Sequence, residues 1–208
     1  MTGNDYCDTL FILAALQQAV TIFGGIDILV NNASAISLSN TEDTQTKRFD
    51  LIHDINVRGT FLVTKHCIPF LRKAQNPHIL TLSPPINLDP RWIEPYIAYT
   101  ISKYNMSMMT MAWALEFKGH IAANSLWPVT TIATAAVKNL LGGDELMNRS
   151  RKPEILADCA YYILQKSAKE CTGNLFLDED VLKAEGITDL QHYAINPGSD
   201  LQKDLYVS

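Results

Sequence analysis

"IDILVNNA", residues 26–33, is a short apolar run rich in β-branched side chains and closed by two asparagines. That composition fits a strand buried on both faces of a parallel sheet, since a strand with one wet face would alternate apolar and polar residues. Just upstream, Leu13, Leu16, Val20 and Phe23 recur at helical spacing before Gly24-Gly25. Residues 9–23 are therefore expected to form a helix with one buried stripe that stops at the glycines.

The same alternation recurs downstream. A helical stretch covers about residues 43–74, with Pro69 expected to kink its last turns, and leads to a second apolar strand, "HILTLS" (78–83). Pro84-Pro85 and "NLDPRW" make a loop, and "YIAYTISKYNMSMMTMAWALEF" (96–117) reads as a second long helix capped by Gly119. Met106, Met108, Met109 and Met111 on that helix read as packing residues. "HIAANSLWP" (120–128) is a third strand, followed by a threonine- and alanine-rich loop-helix region to Gly143. Pro153 marks the first turn of another helix, "GNLFLD" (173–178) is a fourth strand, and residues 179–208 are expected to be an irregular tail. The order α-β-α-β-α-β-α-β predicts an α/β fold of three layers, a parallel sheet with helices on both faces.

With 47% apolar and 19% charged residues the chain has ordinary globular composition. A net charge of −5, with no Lys or Arg before Lys47, excludes the clustered basic face of a nucleic-acid binder. The apolar run Leu10 to Leu16 is too short to span a bilayer and follows Asp5 and Asp8 where a secretory leader would be basic, so an intracellular chain is expected. Cys7, Cys67, Cys159 and Cys171 are scattered, as in a reduced compartment, and the histidines form no HxxxH or HExxH pattern, so neither a disulfide framework nor a metal is expected.

In parallel sheets with helices on both faces, reactive groups collect at the carboxyl ends of the strands. Those ends offer Asn31, Asn32 and Ser34 after the first strand, Ser83 after the second, and Pro128, Thr130, Thr131 and Thr134 after the third. Tyr99 and Lys103, at i and i+4, share one helix face. An unperturbed tyrosine titrates near about 10, so a neighbouring ammonium would favour the ionised phenol and make it useful as an acid or base. Ser83 would hold a substrate oxygen by a hydrogen bond. Each residue has a plainer reading: Tyr99 and Lys103 as a solvated helix face, Asn56 as a helix-surface residue, Ser83 as a strand end. Tyr96 and Tyr104 have no lysine four residues on and read as packing or wall residues.

Taken in order, "NNAS", Asn56 within "DINVRGTF", Ser83 sixteen residues before Tyr99, and the Tyr99–Lys103 pair resemble the short-chain dehydrogenase/reductase family over residues 9–178. The resemblance implies a Rossmann-like domain over residues 1–178 with residues 179–208 as a C-terminal tail. It also implies hydride transfer between NAD or NADP and a lipid-like carbonyl or alcohol. Catalysis would fall to Asn56, Ser83, Tyr99 and Lys103, with Asn56 holding a water of a proton relay. Asn32, Ala33, Ser34, Tyr99, Lys103, Pro128, Thr131 and Thr134 would contact the cofactor. A homo-oligomer through the two long helices is implied as well.

A family domain opens with a strand and a TGxxxGxG turn whose backbone N–H groups bind pyrophosphate. "MTGNDYC" holds a lone Thr2-Gly3 and is not that motif. The expectation is an N-terminally truncated sheet of about four strands of the usual seven, with "IDILVNNA" as an edge. Losing three charge-assisted hydrogen bonds at about 1.5–3 kcal/mol each takes a micromolar cofactor to roughly millimolar or worse. A catalytically inactive member acting through oligomerisation or partner binding is thus the alternative. Finally, "GGIDILVNNASAIS", "SPPINL", "EFKGHIAANSLWP" and "DCAYYI" resemble a branch of the family in which the dehydrogenase domain precedes a sterol-carrier domain. That branch implies peroxisomal residence, with mitochondria also implicated, although the final "LYVS" is not an SKL-type signal.

Overall fold

In the computed structural model, which describes residues 9–208, four strands form one parallel sheet in the order β1-β2-β3-β4. Cys7 and the Thr2-Gly3 pair lie outside the described residues. Along the chain run α1 (Thr9–Phe23), β1 (Ile28–Asn31), α2 (Thr46–His53), α3 (Thr60–Leu71), β2 (His78–Thr81) and α4 (Pro90–Ile93). Then follow α5 (Ile97–Glu116), β3 (Ala122–Trp127), α6 (Gly143–Asn148), α7 (Glu154–Gln165), β4 (Leu175–Leu177) and α8 (Asp178–Ala184). Ile28 lies opposite His78, His78 opposite Ala122, and Ser125 opposite Leu175. No described helix is long and apolar enough to cross a membrane.

Because successive strand residues point to opposite faces, the sheet supports two cores. Ile79 and Ala123 face one side, where they pack with Cys67 and Leu71 of α3 and Trp113 of α5, and Leu16 of α1 closes that layer. Leu80 and Leu126 face the other side, against Ile155, Cys159 and Ile163 of α7 and Leu182 of α8. β2 and β3 are buried along their whole length. The apolar run at 26–33 is the edge expected of a truncated sheet, covered on one face where an intact family strand would be covered on both. Leu29 packs into the α3–α5 layer, whereas Ile28 and Val30 are 43% and 45% exposed, because β1 is an edge on whose second face no helix is laid among the described residues.

Local chemistry explains most helix ends. Gly24 takes φ +84° and its N–H bonds Val20 O at 2.8 Å, closing α1 with the left-handed residue that glycine adopts without a Cβ clash. Gly119, at φ +79°, turns the chain just after α5 in the same way. The loop expected at "NLDPRW" contains one helical turn, α4, begun by Asp89 accepting the Arg91 N–H at 3.1 Å with Pro90 in first position. The long helix expected from 43 to 74 is interrupted: a wider π-helical turn over Asp54–Gly59 separates α2 from α3, and Pro69 lies within the last turns of α3.

The irregular tail expected beyond residue 178 is ordered against the sheet. After α8, the chain returns to lie antiparallel beside the loop that follows β3, with Thr130 bridged to Lys203. Tyr206 is buried at φ +71°, and its ring lies 5.2 Å from Tyr104, 6.1 Å from Trp92 and 6.2 Å from Trp127, centre to centre.

The two-core arrangement has a direct test. Ile79→Ala, at a fully buried position, is expected to lower unfolding free energy by about 2–5 kcal/mol in urea titrations. Lys169→Ala, at an exposed position beyond α7, should stay within about 0.5 kcal/mol of the native protein.

Candidate active site

The carboxyl ends of β1, β2 and β3 open onto a cavity of about 920 Å³. Asn32 and Ser34 reach it from the loop after β1, Tyr99 and Lys103 from α5, and Pro128, Thr131 and Thr134 from the loop after β3. Ala33 is exposed and does not line it. The loop after β1 is held from below by Asn31, whose Nδ2 donates to Thr64 Oγ1 at 3.1 Å and Thr81 Oγ1 at 3.4 Å.

Asn56, in the π-helical turn, is fully buried directly behind the wall. Its Oδ1 accepts from Ser34 Oγ at 3.1 Å and Ala35 N–H at 2.8 Å. Its Nδ2 donates to Ala35 O at 2.9 Å and Ser102 Oγ at 3.0 Å. Ser102 in turn donates to Tyr99 O at 2.7 Å. A side-chain amide has two donors and an acceptor with two lone pairs, and here all are spent on protein. The role implied for Asn56, holding a relay water, therefore does not belong to its side chain, which instead locks the "NNAS" loop to α5.

Lys103 is 3% exposed. Its Nζ donates to Leu82 O at 2.9 Å, lies 3.8 Å from Met106 Sδ, and sits 5.1 Å from the centre of the Trp127 ring. All three contacts are neutral groups. Burial consequently pulls the Lys103 pKa down to about 7, against the opposing pull of Asp204. Tyr99, 4% exposed, is displaced upward, well above the usual tyrosine value, first by burial and then by Tyr206 and Asp204. The attraction expected between ammonium and phenol is not among the causes that move either group, and desolvation by burial leads in both. Ser83 is fully buried, its Oγ has no hydrogen-bond partner, and it does not line the cavity. Thr131 Oγ1 pairs with Ser150 Oγ at 2.8 Å.

Sequence reasoning missed Trp127 and the segment Gln202 to Leu205, which line the same cavity. No motif marks them, because their role arises only where the chain end folds back. Asp178 was also missed. It is fully buried, accepts the Val129 N–H at 2.9 Å through Oδ1 and holds the loop after β3, with burial raising its pKa to about 6.

A family model described as enoyl-(acyl carrier protein) reductase matches residues 4–178. Hydroxysteroid dehydrogenase-like protein 2 of Homo sapiens is 54% identical over 203 residues, which cover 98% of this chain and 48% of that protein. The Danio rerio protein of the same name is 53% identical with the same coverage. The chain belongs to the short-chain dehydrogenase/reductase family. It spans about half the length of these relatives. Among solved structures, a short-chain dehydrogenase of Mycobacterium thermoresistibile is 53% identical with TM-score 0.90, covering 98% of this chain and 72% of that one. A 3-ketoacyl-(acyl-carrier-protein) reductase of Brucella melitensis complexed with NADH is 28% identical with TM-score 0.71, covering 83% and 74%.

The residues of this short-chain dehydrogenase/reductase site fit the reacting end of a nicotinamide cofactor. A buried ammonium held by neutral partners has hydrogen-bonding capacity for ribose hydroxyls, and Pro128, Thr131 and Thr134 supply a small flat wall beside it. Among the described residues no glycine-rich turn at a strand end faces the cavity to receive a pyrophosphate.

Two outcomes follow. Asn56→Ala leaves several buried partners unpaired at once and is expected to cost roughly 3 kcal/mol of stability in urea unfolding. Lys103 gives a pH signature. Between about 7 and the ordinary 10.5 the unfolded chain holds a proton that the folded chain has released, so stability rises with pH through that window. Lys103→Met abolishes this dependence. Its thermal-stability advantage over the native protein should therefore be largest at or below pH 7 and shrink by about pH 10, as read by calorimetry.

Proposed function

We propose that the chain works as an oxidoreductase that moves hydride between NAD or NADP and a lipid-like carbonyl or alcohol. The observation that carries this reading is the buried Tyr99–Lys103 pair, one turn apart on α5, facing a largely apolar cavity at the carboxyl ends of parallel strands. When bound, the nicotinamide supplies or accepts the hydride, which no side chain can do.

The protein's own residues handle the proton and the positions. Tyr99 is a phenol at neutral pH and can donate its proton to a carbonyl oxygen, the direction of reduction. The upward displacement of its pKa by burial weakens it as an acid and makes stabilisation of the phenolate by Lys103 the more necessary. Lys103, half-protonated near neutrality, bonds the ribose and offsets charge on the phenolate that proton donation leaves. Ser83 Oγ is without a partner but sealed behind the cavity wall, so it takes part in holding a substrate oxygen only where substrate binding uncovers it. Asn56 keeps the cofactor loop and α5 in register through its four hydrogen bonds.

The lipid-like substrate is supported by the walls, with Ile36, Leu38, Ile132, Leu141 and Leu146 among the lining residues, and by the names of the relatives. Self-association through the two long helices is supported by Phe61 of α3 and by Ile101, Met108, Met111 and Leu115 of α5, large apolar side chains left exposed. Residence in peroxisomes, or in mitochondria, is proposed on the likeness of sequence alone.

Titration with NADH and NADPH, followed by nicotinamide fluorescence, is expected to show saturable binding and to choose between the two. In a screen of ketones of increasing chain length, Tyr99→Phe should keep its fold and its cofactor affinity while losing at least about 100-fold in turnover. Undiminished turnover in that variant would remove Tyr99 from the chemistry.

A further inference from the structure

The end of the chain is built into the wall of the active-site cavity. Thr131 N–H donates to Gln202 O at 2.9 Å and Asp204 N–H to Val129 O at 3.0 Å, so Asp204 is strapped to the loop after β3. Trp127 Nε1–H donates to Leu205 O at 2.9 Å. The same indole ring carries the Lys103 ammonium at 5.1 Å. One aromatic side chain therefore fixes both the cation of the site and the residue next to Asp204. Beyond it, Tyr206 is pinned by Asn87 Nδ2 donating to its carbonyl at 3.2 Å and by a 3.2 Å bond between its hydroxyl and Thr100 Oγ1.

Asp204 and Lys103 both line the cavity, beyond ion-pair distance of each other. Asp204 Oδ1 accepts the Leu205 N–H at 2.7 Å. The other charged or titratable groups around it are Tyr99 from α5, Tyr206 beside it, Asp178 at the start of α8, and Lys203. Lys203 turns away, its Nζ donating to Ser208 O at 2.9 Å. Lys103 is then the cation that acts on Asp204, and Asp204 the carboxylate that acts on Lys103. Burial draws Lys103 down to about 7 and Asp204 up to about 6, and in each case the other group opposes the displacement.

We propose that Asp204 is a positioning residue of this site, whose carboxylate holds Lys103 in its ammonium form next to Tyr99, so that the C-terminal segment sets the pH range in which the site works. The consequence for turnover rests on the oxidoreductase reading. The electrostatic coupling does not, and it is measured without turnover.

The test is the titration of Lys103 Nζ in the full chain labelled with ¹⁵N-lysine, followed by NMR and assigned with Lys103→Arg. Asp204→Asn keeps the main-chain strap and the size of the side chain but removes the charge. Its Lys103 midpoint is expected to fall by about one pH unit, and Asp204→Glu should stay near the native midpoint. A plain covering role makes the opposite forecast, because a loosened segment rehydrates Lys103 and raises its midpoint toward the ordinary value. The Trp127 indole N–H signal reports whether the segment is still docked. An unchanged or raised midpoint in Asp204→Asn overturns the proposal. In the active enzyme the alkaline limb of kcat/KM for carbonyl reduction should move to lower pH by the same amount, while an alkaline limb that stays put overturns the link to turnover. A lowered midpoint in a chain without turnover upholds the coupling and sinks the oxidoreductase reading alone.

Discussion

Asn56 stands between the loop that leaves β1 and the helix that carries Tyr99 and Lys103, and its amide spends four hydrogen bonds on that junction. Removing any partner would leave a buried donor or acceptor unsatisfied, at about 1–3 kcal/mol, so the loop and the helix can shift only together. Asn56 lies in the π-helical turn between α2 and α3, and from there its amide reaches Ala35 and Ser102 together. Asn56 thus ties the loop after β1 to α5, in addition to the hold of Asn31 on that loop and of Leu82 and Trp127 on Lys103.

The sheet supplies the complementary rigidity. β2 and β3 are buried along their length, and their carboxyl ends deliver Leu82 and Trp127, the two neutral surfaces against which Lys103 lies. At β1 the packing is one-sided, and Ile28 and Val30 remain exposed on the face opposite Leu29. The chemistry is therefore placed toward the middle of the sheet, where strands are held from both faces, and reaches the edge only through the Asn56 junction.

The parts of the fold that were legible in the sequence are those whose physics is local. The run at 26–33, the helical periodicity of 96–117 and the glycines at 24 and 119 each follow from residue spacing or conformational preference within one element. Tyr99 and Lys103 were legible for the same reason, four residues apart on one helix, and the family resemblance rested on such local signatures in order. What stayed hidden depends on residues far apart in sequence. The π-helical turn at Asp54–Gly59 coincides with contacts that Asn56 makes 21 and 46 residues away, with Ala35 and Ser102. Asp204 acquires meaning only by lying beside Val129, and Tyr206 only by filling a nest of Trp92, Tyr104 and Trp127. The Asp89-Pro90 signal for α4 was present and local, and a reading of Pro as loop punctuation passed over it.

The direction of the pKa displacements was the least legible feature, and the reason is quantitative. Two groups one helical turn apart invite an argument from their mutual attraction, which at a wet surface is the larger effect. Inside the cavity wall both lose hydration, and the loss acts on each group separately, raising Tyr99 and lowering Lys103. Attraction between the pair can compensate only where both are charged, and desolvation opposes that state most strongly. A third charge placed on one side changes the balance. Asp204 favours the ammonium and disfavours the phenolate, so it moves the pair toward a protonated tyrosine beside a protonated lysine. Burial is the leading cause on both groups, and Asp204, a residue more than a hundred positions away in the chain, adds to it on Tyr99 and opposes it on Lys103.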